Sequence, residues 1–368
     1  MSSSTSAEQP PWKKEAEAHK RAMPLQRLLG NGMDYADVDE LYRLVDDAAP
    51  WPDAATSLGE ANLRRAEAAE ADGHPASART WYLAAAACFR VGQVPLPDND
   101  QKRALYRQLI AAYGAGGALA DPPTEHVEIG WGDGTLYGWL LRPPGHARPP
   151  TVIVMGGFDG WREEYHVGAT YLLERGIAVL LVDGPGQGET RLFGGLVMNT
   201  DVTSAFSAMV DHLLADDRLG DEVGIWGNSM GGFLAAATAA ADPRIAACCV
   251  NGGTVRPAEF PERFPRTVAK AQSLLGIDDP DKALDTLRGF RLQPEDLERL
   301  RCPLLVLHGT PDQVFLVENA RALYDQAGTA DKTWREWPDG DHCIYNHSLD
   351  KHLLVSDWFA DRLTRERP

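Results

Sequence analysis

Apolar and polar positions alternate in two different rhythms along this chain, and the change falls between Gly114 and His126. Before it, apolar residues recur at spacings of three and four in "DVDELYRLVDDA", "LGEANLRRAEAAEADG", "HPASARTWYLAAAACFRVG" and "NDQKRALYRQLIAAYG", with Gly and Pro between the segments. That spacing predicts helices only. The pair around Gly73 is similar to one helical hairpin of a tetratricopeptide repeat. No second copy follows at a fixed period, so an accessory helical domain over residues 1–120 is expected rather than a solenoid.

After Asp121 short β runs alternate with helical stretches. "HVEIGWG" and "TLYGWLLRP" flank Asp133-Gly134, which predicts a hairpin turning on that dipeptide. Then come "TVIVMGG", "IAVLLVDG", "VGIWG", "AACCVNGG" and "PLLVLHG", each an apolar run ending in Gly or a turn residue. Near-continuous apolar strands separated by helices predict an α/β domain over 121–368, with a mostly parallel sheet covered on both faces. In such sheets chemistry gathers at the carboxyl ends of the strands. The proline-punctuated helical segment from Gly253 to Arg301 is longer than a strand-to-strand crossover needs, and is expected to insert as a lid.

Composition narrows the partners. The 368 residues are 44% hydrophobic and 24% charged, with a formal net charge of -17. That charge repels phosphate backbones and anionic lipid, so a small-molecule substrate is expected, with no nucleic acid and no membrane, in a monomer or homodimer. Cys88, Cys248, Cys249, Cys302 and Cys343 are odd in number and lack CxxC spacing, which fits reduced core thiols and no metal site. The amino-terminal stretch is polar where a signal peptide is apolar, and no apolar run reaches membrane-spanning length. A cytoplasmic protein is expected.

The candidate chemistry centres on "VGIWGNSMGGFLAAATAAADP". Gly227-Asn228-Ser229-Met230-Gly231 is G-x-S-x-G between a buried strand and an alanine-rich helix, the context of a nucleophile elbow. The sharp turn lifts the serine oxygen above the sheet, and the helix start beneath it favours developing negative charge. A serine hydroxyl needs a base and an orienting carboxylate. "PLLVLHGTPDQVF" supplies Asp312 just beyond a buried strand, with His308 expected to be structural beneath it. "WREWPDGDHCIYNH" supplies His342 after the next short strand. His347 lies deeper in a helix-like segment and is the weaker base candidate; Asp339 and Asp341 are expected to be solvated surface acids.

An oxyanion requires two N–H donors. Met230 offers one, and the other comes from "VIVMGGFDGWREE", at Gly157 or Phe158; spacing does not choose between them. "VDGPGQGET" has no following Lys-Ser/Thr, so it is read as a structural turn beside the elbow rather than a phosphate loop.

These residues carry a recognisable resemblance. From about Glu125 onward, "GNSMGG", "HGTPDQV" and "GDH" follow the order of an α/β-hydrolase, and the helical leader with "MGGFDGWREEY" and "VDGPGQGET" resembles the FrsA-like esterase group. Met155 stands where many members of the superfamily carry His. The resemblance implies an α/β-hydrolase fold with a helical amino-terminal cap, no cofactor, and hydrolysis of an ester or of a carbon-carbon bond beside a ketone, as in secondary metabolism. A β-dicarbonyl substrate loses an enolate that needs a proton at carbon. Glu259, in "RPAEFPERF" at the lid entrance, is a candidate for that acid, against a plain solvated role. Phe158, Trp161 and Tyr165 either line a pocket for a flat or polyketide-like substrate or belong to the core. A catalytically silent binding protein, a simple carboxylesterase and an acyl-eliminating lyase are the competing functions. The helical cap is expected to form much of the substrate pocket together with the lid.

Overall fold

The computed structural model describes residues 10–158 and 160–364. The first nine residues, on which part of the signal-peptide reading rests, lie outside them. The chain separates into two compact units, Met1–Leu119 and Ala120–Pro368.

The first unit is helical. Its helices span Pro11–Ala22, Leu25–Gly30, Tyr35–Asp46, Trp51–Ala71, Pro75–Gln93 and Asp100–Ala118. Asp34 and Asn99 cap the third and sixth by accepting from the Ala36 and Lys102 amides, each at 2.9 Å. Proline occupies the first turn of the first, fourth and fifth, where its missing N–H costs nothing. Leu28, Val38, Leu41, Trp51, Ala55, Cys88 and Val91 form the main core of this unit. The Trp51 indole donates to the Val91 carbonyl at 3.1 Å, so its polar edge is satisfied inside that core.

The second unit is built on one eight-stranded sheet. Its strands are β1 (Glu125–Trp131), β2 (Gly134–Leu141), β3 (Thr151–Met155), β4 (Ala178–Asp183), β5 (Val223–Asn228), β6 (Ile245–Asn251), β7 (Leu304–Gly309) and β8 (Lys332–Trp337), in the order β1-β2-β4-β3-β5-β6-β7-β8. The β1-β2 and β2-β4 pairs are antiparallel; the rest are parallel. Strands β3, β4, β5 and β7 are buried along their whole length, which is why they read as unbroken apolar runs. Burying each Val, Leu or Ile there is worth about 1.5–3 kcal/mol.

The hairpin turns one residue earlier than the dipeptide Asp133-Gly134 implied. Trp131 pairs with Gly134, so the turn residues are Gly132 and Asp133. Gly134 is needed inside the strand, because a Cβ there would lie 2.4 Å from the Gly194 carbonyl.

The segment after β6 folds as short helices at Glu259–Arg263, Val268–Leu275, Pro280–Arg288 and Pro294–Leu297. Ala271, Leu274, Ala283, Leu287 and Leu297 bury its inner side in the main core of this unit. No described helix is long and apolar enough to cross a membrane. All five cysteines are free thiols, and four are buried.

Candidate active site

The turn after β5 is what lifts Ser229 out of the sheet. Ser229 has φ 60 and ψ -130, a strained backbone that a non-glycine residue holds only when its surroundings fix it. They do so on both sides: its amide donates to the Asn251 carbonyl at 2.9 Å, and its carbonyl accepts from Gly232 at 2.9 Å. The turn is so tight that a Cβ on Gly227 would sit 1.9 Å from the Gly231 carbonyl oxygen. The helix Met230–Ala241 then starts directly under the serine.

Two loops at neighbouring strand ends bring the partners. His342 Nε2 lies 2.9 Å from Ser229 Oγ, and its Nδ1 lies 2.7 Å from Asp312 Oδ2. A carboxylate only accepts, so Nδ1 carries the proton and Nε2 is free to accept from the serine hydroxyl. The other oxygen of Asp312 accepts from the Val314 and Phe315 amides at 2.7 and 3.2 Å. Burial acts against the charged form of Asp312, but the adjacent His342 outweighs it and holds the carboxyl below its usual range. Burial likewise disfavours the His342 imidazolium, and the Asp312 carboxylate overrides it, holding this histidine well above its ordinary pKa.

The candidate base His342 sits on a constrained loop. Cys343 and Ile344, directly after His342, have φ 61 and 58, and Ile344 is fully buried. The Cys343 carbonyl accepts from Lys351 Nζ at 3.0 Å and from Asn251 Nδ2 at 3.1 Å. Asp341, expected to be a solvated acid, instead caps this turn by accepting from the Tyr345 amide at 2.6 Å. His347 faces away, bonded at 3.0 Å to the exposed Asp339. His308 is buried; its Nε2 meets the Phe315 carbonyl at 3.2 Å and stands 3.8 Å from Asp312.

The loop after β3 meets the serine at Gly157. A Cβ there would lie 2.7 Å from the Met230 nitrogen and 2.9 Å from Ser229 Oγ, so only glycine leaves this space open. Phe158 is half-buried and its ring packs against Phe260 at 5.8 Å between centroids. Phe260 meets Phe315 at 6.4 Å, and Phe315 meets His342 edge-on at 5.9 Å. A row of rings thus runs from the loop after β3 to His342. Phe260 and Phe315 were not singled out by sequence pattern, because only the fold makes them neighbours. Trp161 and Tyr165 are buried behind the same loop.

Glu259 is not a solvated acid. It is 2% exposed, and accepts from Thr254 Oγ1, from Asn319 Nδ2 at 2.6 Å and from the Leu316 amide at 3.5 Å. Burial raises its carboxyl above the usual value, with these hydrogen bonds opposing. Among the described residues, no group of three or more His, Cys, Asp or Glu is placed to hold a metal ion.

The chain has counterparts among known proteins. The family described as "Serine aminopeptidase, S33" matches residues 147–277 and 280–348, a span that holds Ser229, Asp312 and His342. The chain belongs to this α/β-hydrolase family. The α/β-hydrolase is 28% identical over 92% of its length to the 2,6-dihydropseudooxynicotine hydrolase of Paenarthrobacter nicotinovorans, 91% of which is covered. It superposes on a crystal structure of a 2,6-dihydroxy-pseudo-oxynicotine hydrolase with a TM-score of 0.84 at 27% identity, covering 92% of this chain and 95% of that one. It is also 31% identical to the hydrolase ORFZ of Pyricularia oryzae, over 81% of this chain and 83% of that one. The chain is therefore an α/β-hydrolase enzyme, similar to hydrolases of a bacterium and of a fungus.

Proposed function

We propose that this α/β-hydrolase transfers an acyl group from a small ketone or ester to water through Ser229, His342 and Asp312. The reading rests on one observation, the unbroken hydrogen-bonded chain from Ser229 Oγ through His342 to Asp312 at the mouth of a strained strand-turn-helix. Ser229 attacks the carbonyl carbon as His342 Nε2 takes its proton. The Met230 amide and one amide of the β3 loop receive the oxyanion, in the gap that Gly157 keeps open. The tetrahedral intermediate then expels its leaving group, and the His342 imidazolium gives up its proton, directly to a leaving oxygen or, where Glu259 has protonated an enolate at carbon, through solvent to restore the Glu259 carboxyl. Water, deprotonated by His342, releases the acid and restores the serine.

Glu259 favours a carbon leaving group. An expelled enolate must gain a proton at carbon, and burial shifts the Glu259 carboxyl upward, toward the protonated form that can supply one. The rings of Phe158, Phe260 and Phe315 suit a flat, aromatic or polyketide-like substrate.

The test uses two probes. A fluorophosphonate should label Ser229 in the native protein, and S229A should lose both labelling and turnover while keeping its fold by circular dichroism. E259Q should lose cleavage of an aryl β-diketone while retaining p-nitrophenyl acetate hydrolysis, since phenolate needs no proton at carbon. Full turnover by S229A sinks the serine mechanism. Equal loss of both reactions in a folded E259Q sinks the role of the acid. Solvent oxygen-18 in the released acid distinguishes acyl hydrolysis from elimination, which leaves the acid with its original oxygens.

A further inference from the structure

The Gly-Pro-Gly-Gln-Gly stretch after β4 has a chemical consequence that the triad does not use. Gln187 is 4% exposed, and its side-chain amide is spent on two loops. Its Nε2 donates to the Gly156 carbonyl at 2.7 Å and to the Gly157 carbonyl at 3.0 Å. Its Oε1 accepts from the Gly184 amide at 2.9 Å, which anchors Gln187 to its own turn. That turn is itself fixed: Asp183 accepts from the Glu189 amide at 3.0 Å and from the Arg162 amide at 3.2 Å. Thr190 Oγ1 closes it on the Asp183 carbonyl at 2.7 Å.

The bonded carbonyls belong to the two peptides that carry the candidate oxyanion donors. In a trans peptide the C=O and the next N–H point in opposite directions. Binding the Gly156 carbonyl therefore sets the direction of the Gly157 N–H, and binding the Gly157 carbonyl sets that of Phe158. Both carbonyls turn toward one NH2 group, so both N–H groups turn away from it, as in the backbone concavities that hold anions. An extended segment would alternate them instead.

We propose that Gln187 is the positioning residue of the oxyanion hole, aiming the Gly157 and Phe158 amides without touching substrate. The proposal rests on the serine acyl-transfer reading above. A preorganised donor acts on the transition state far more than on the bound ground state, so the loss of its support falls on kcat rather than on KM.

The experiment compares wild type with Q187A and with Q187M, which keeps the side-chain length should the alanine variant not fold. Active sites are counted by fluorophosphonate titration, and steady-state rates on p-nitrophenyl acetate are expressed per titrated serine. We expect kcat to fall about 10–100-fold, less than the loss of a whole oxyanion donor, with KM changed by less than about threefold. Affinity for phenylboronic acid, whose serine adduct is a tetrahedral anion, should fall in parallel, and the acid limb of the pH profile should stay in place. A kcat per titrated site within about twofold of wild type, with or without a lowered Tm, assigns Gln187 a purely structural role and overturns the proposal. A rise in KM alone overturns it as well. Absence of Ser229 labelling in wild type sinks the acyl-transfer reading itself, an outcome distinct from the other two.

Discussion

At the scale of single residues, the proposed serine mechanism together with the coupling of His342 to Asp312 predicts a pH-dependent activity. On that mechanism His342 must be neutral to take the serine proton, and Asp312 holds its pKa well above the ordinary histidine value. The expected kcat/KM on p-nitrophenyl acetate therefore rises with pH through an acid limb lying above that value. In D312N the limb moves down, because the charge that favours the imidazolium is gone. The plateau falls by about 10⁴-fold, as the ring loses its orienting acceptor. A limb that stays in place in D312N counts against the coupling. Ser229, Asp312 and His342 were legible in the sequence because each lies at a short fixed offset from an apolar strand or glycine turn. Gln187 was not, since its two acceptors belong to a loop that only strand pairing makes adjacent. Glu259 reads as one acid among many in an acidic chain, until Asn319, 60 positions away, closes on it.

At the scale of elements, the loop after β8 holds His342 in place through backbone that resists its own conformation. Cys343 and Ile344 occupy the left-handed region, which β-branched residues avoid, and a buried ammonium on Lys351 braces the carbonyl between them. Burial lowers the Lys351 pKa from 10.5 to about 8. A lysine depressed in the folded state binds its proton more tightly when unfolded, so its contribution to stability is fully present above pH 10.5 and is lost as pH falls through about 8. The Tm of wild type relative to K351M should accordingly improve as pH is raised from about 7 to about 10. A difference that is flat across that range means the ammonium is not desolvated. Sequence pattern located β8 and the helix after this loop, but nothing local marks two consecutive left-handed residues that are not glycine. The same limit moved the β1-β2 turn by one residue, because the contact that requires Gly134 in the strand comes from Gly194.

At the scale of the whole molecule, apolar runs reveal the strands but not their order, since β3 joins β4 to β5 through pairings far apart in the chain. That order has a consequence for stereochemistry. The loop of the candidate oxyanion donors follows β3 on one side of β5, whereas Asp312 and His342 follow β7 and β8 on the other. A planar carbonyl held between them offers Ser229 only one of its two prochiral faces, and the Phe158, Phe260 and Phe315 rings limit what can stand beside it. Inverting the arrangement would require left-handed strand crossovers, which parallel sheets almost never contain. On the proposed acyl-transfer mechanism, the topology predicts enantioselectivity toward acyl groups with a stereocentre next to the carbonyl. The two enantiomers of p-nitrophenyl 2-phenylpropanoate should be hydrolysed with kcat/KM values about 10-fold or more apart, the discrimination that about 1.4 kcal/mol of differential contact supplies. Equal rates would mean that the acyl group turns freely at the serine, and that the handedness of the fold stops short of its chemistry.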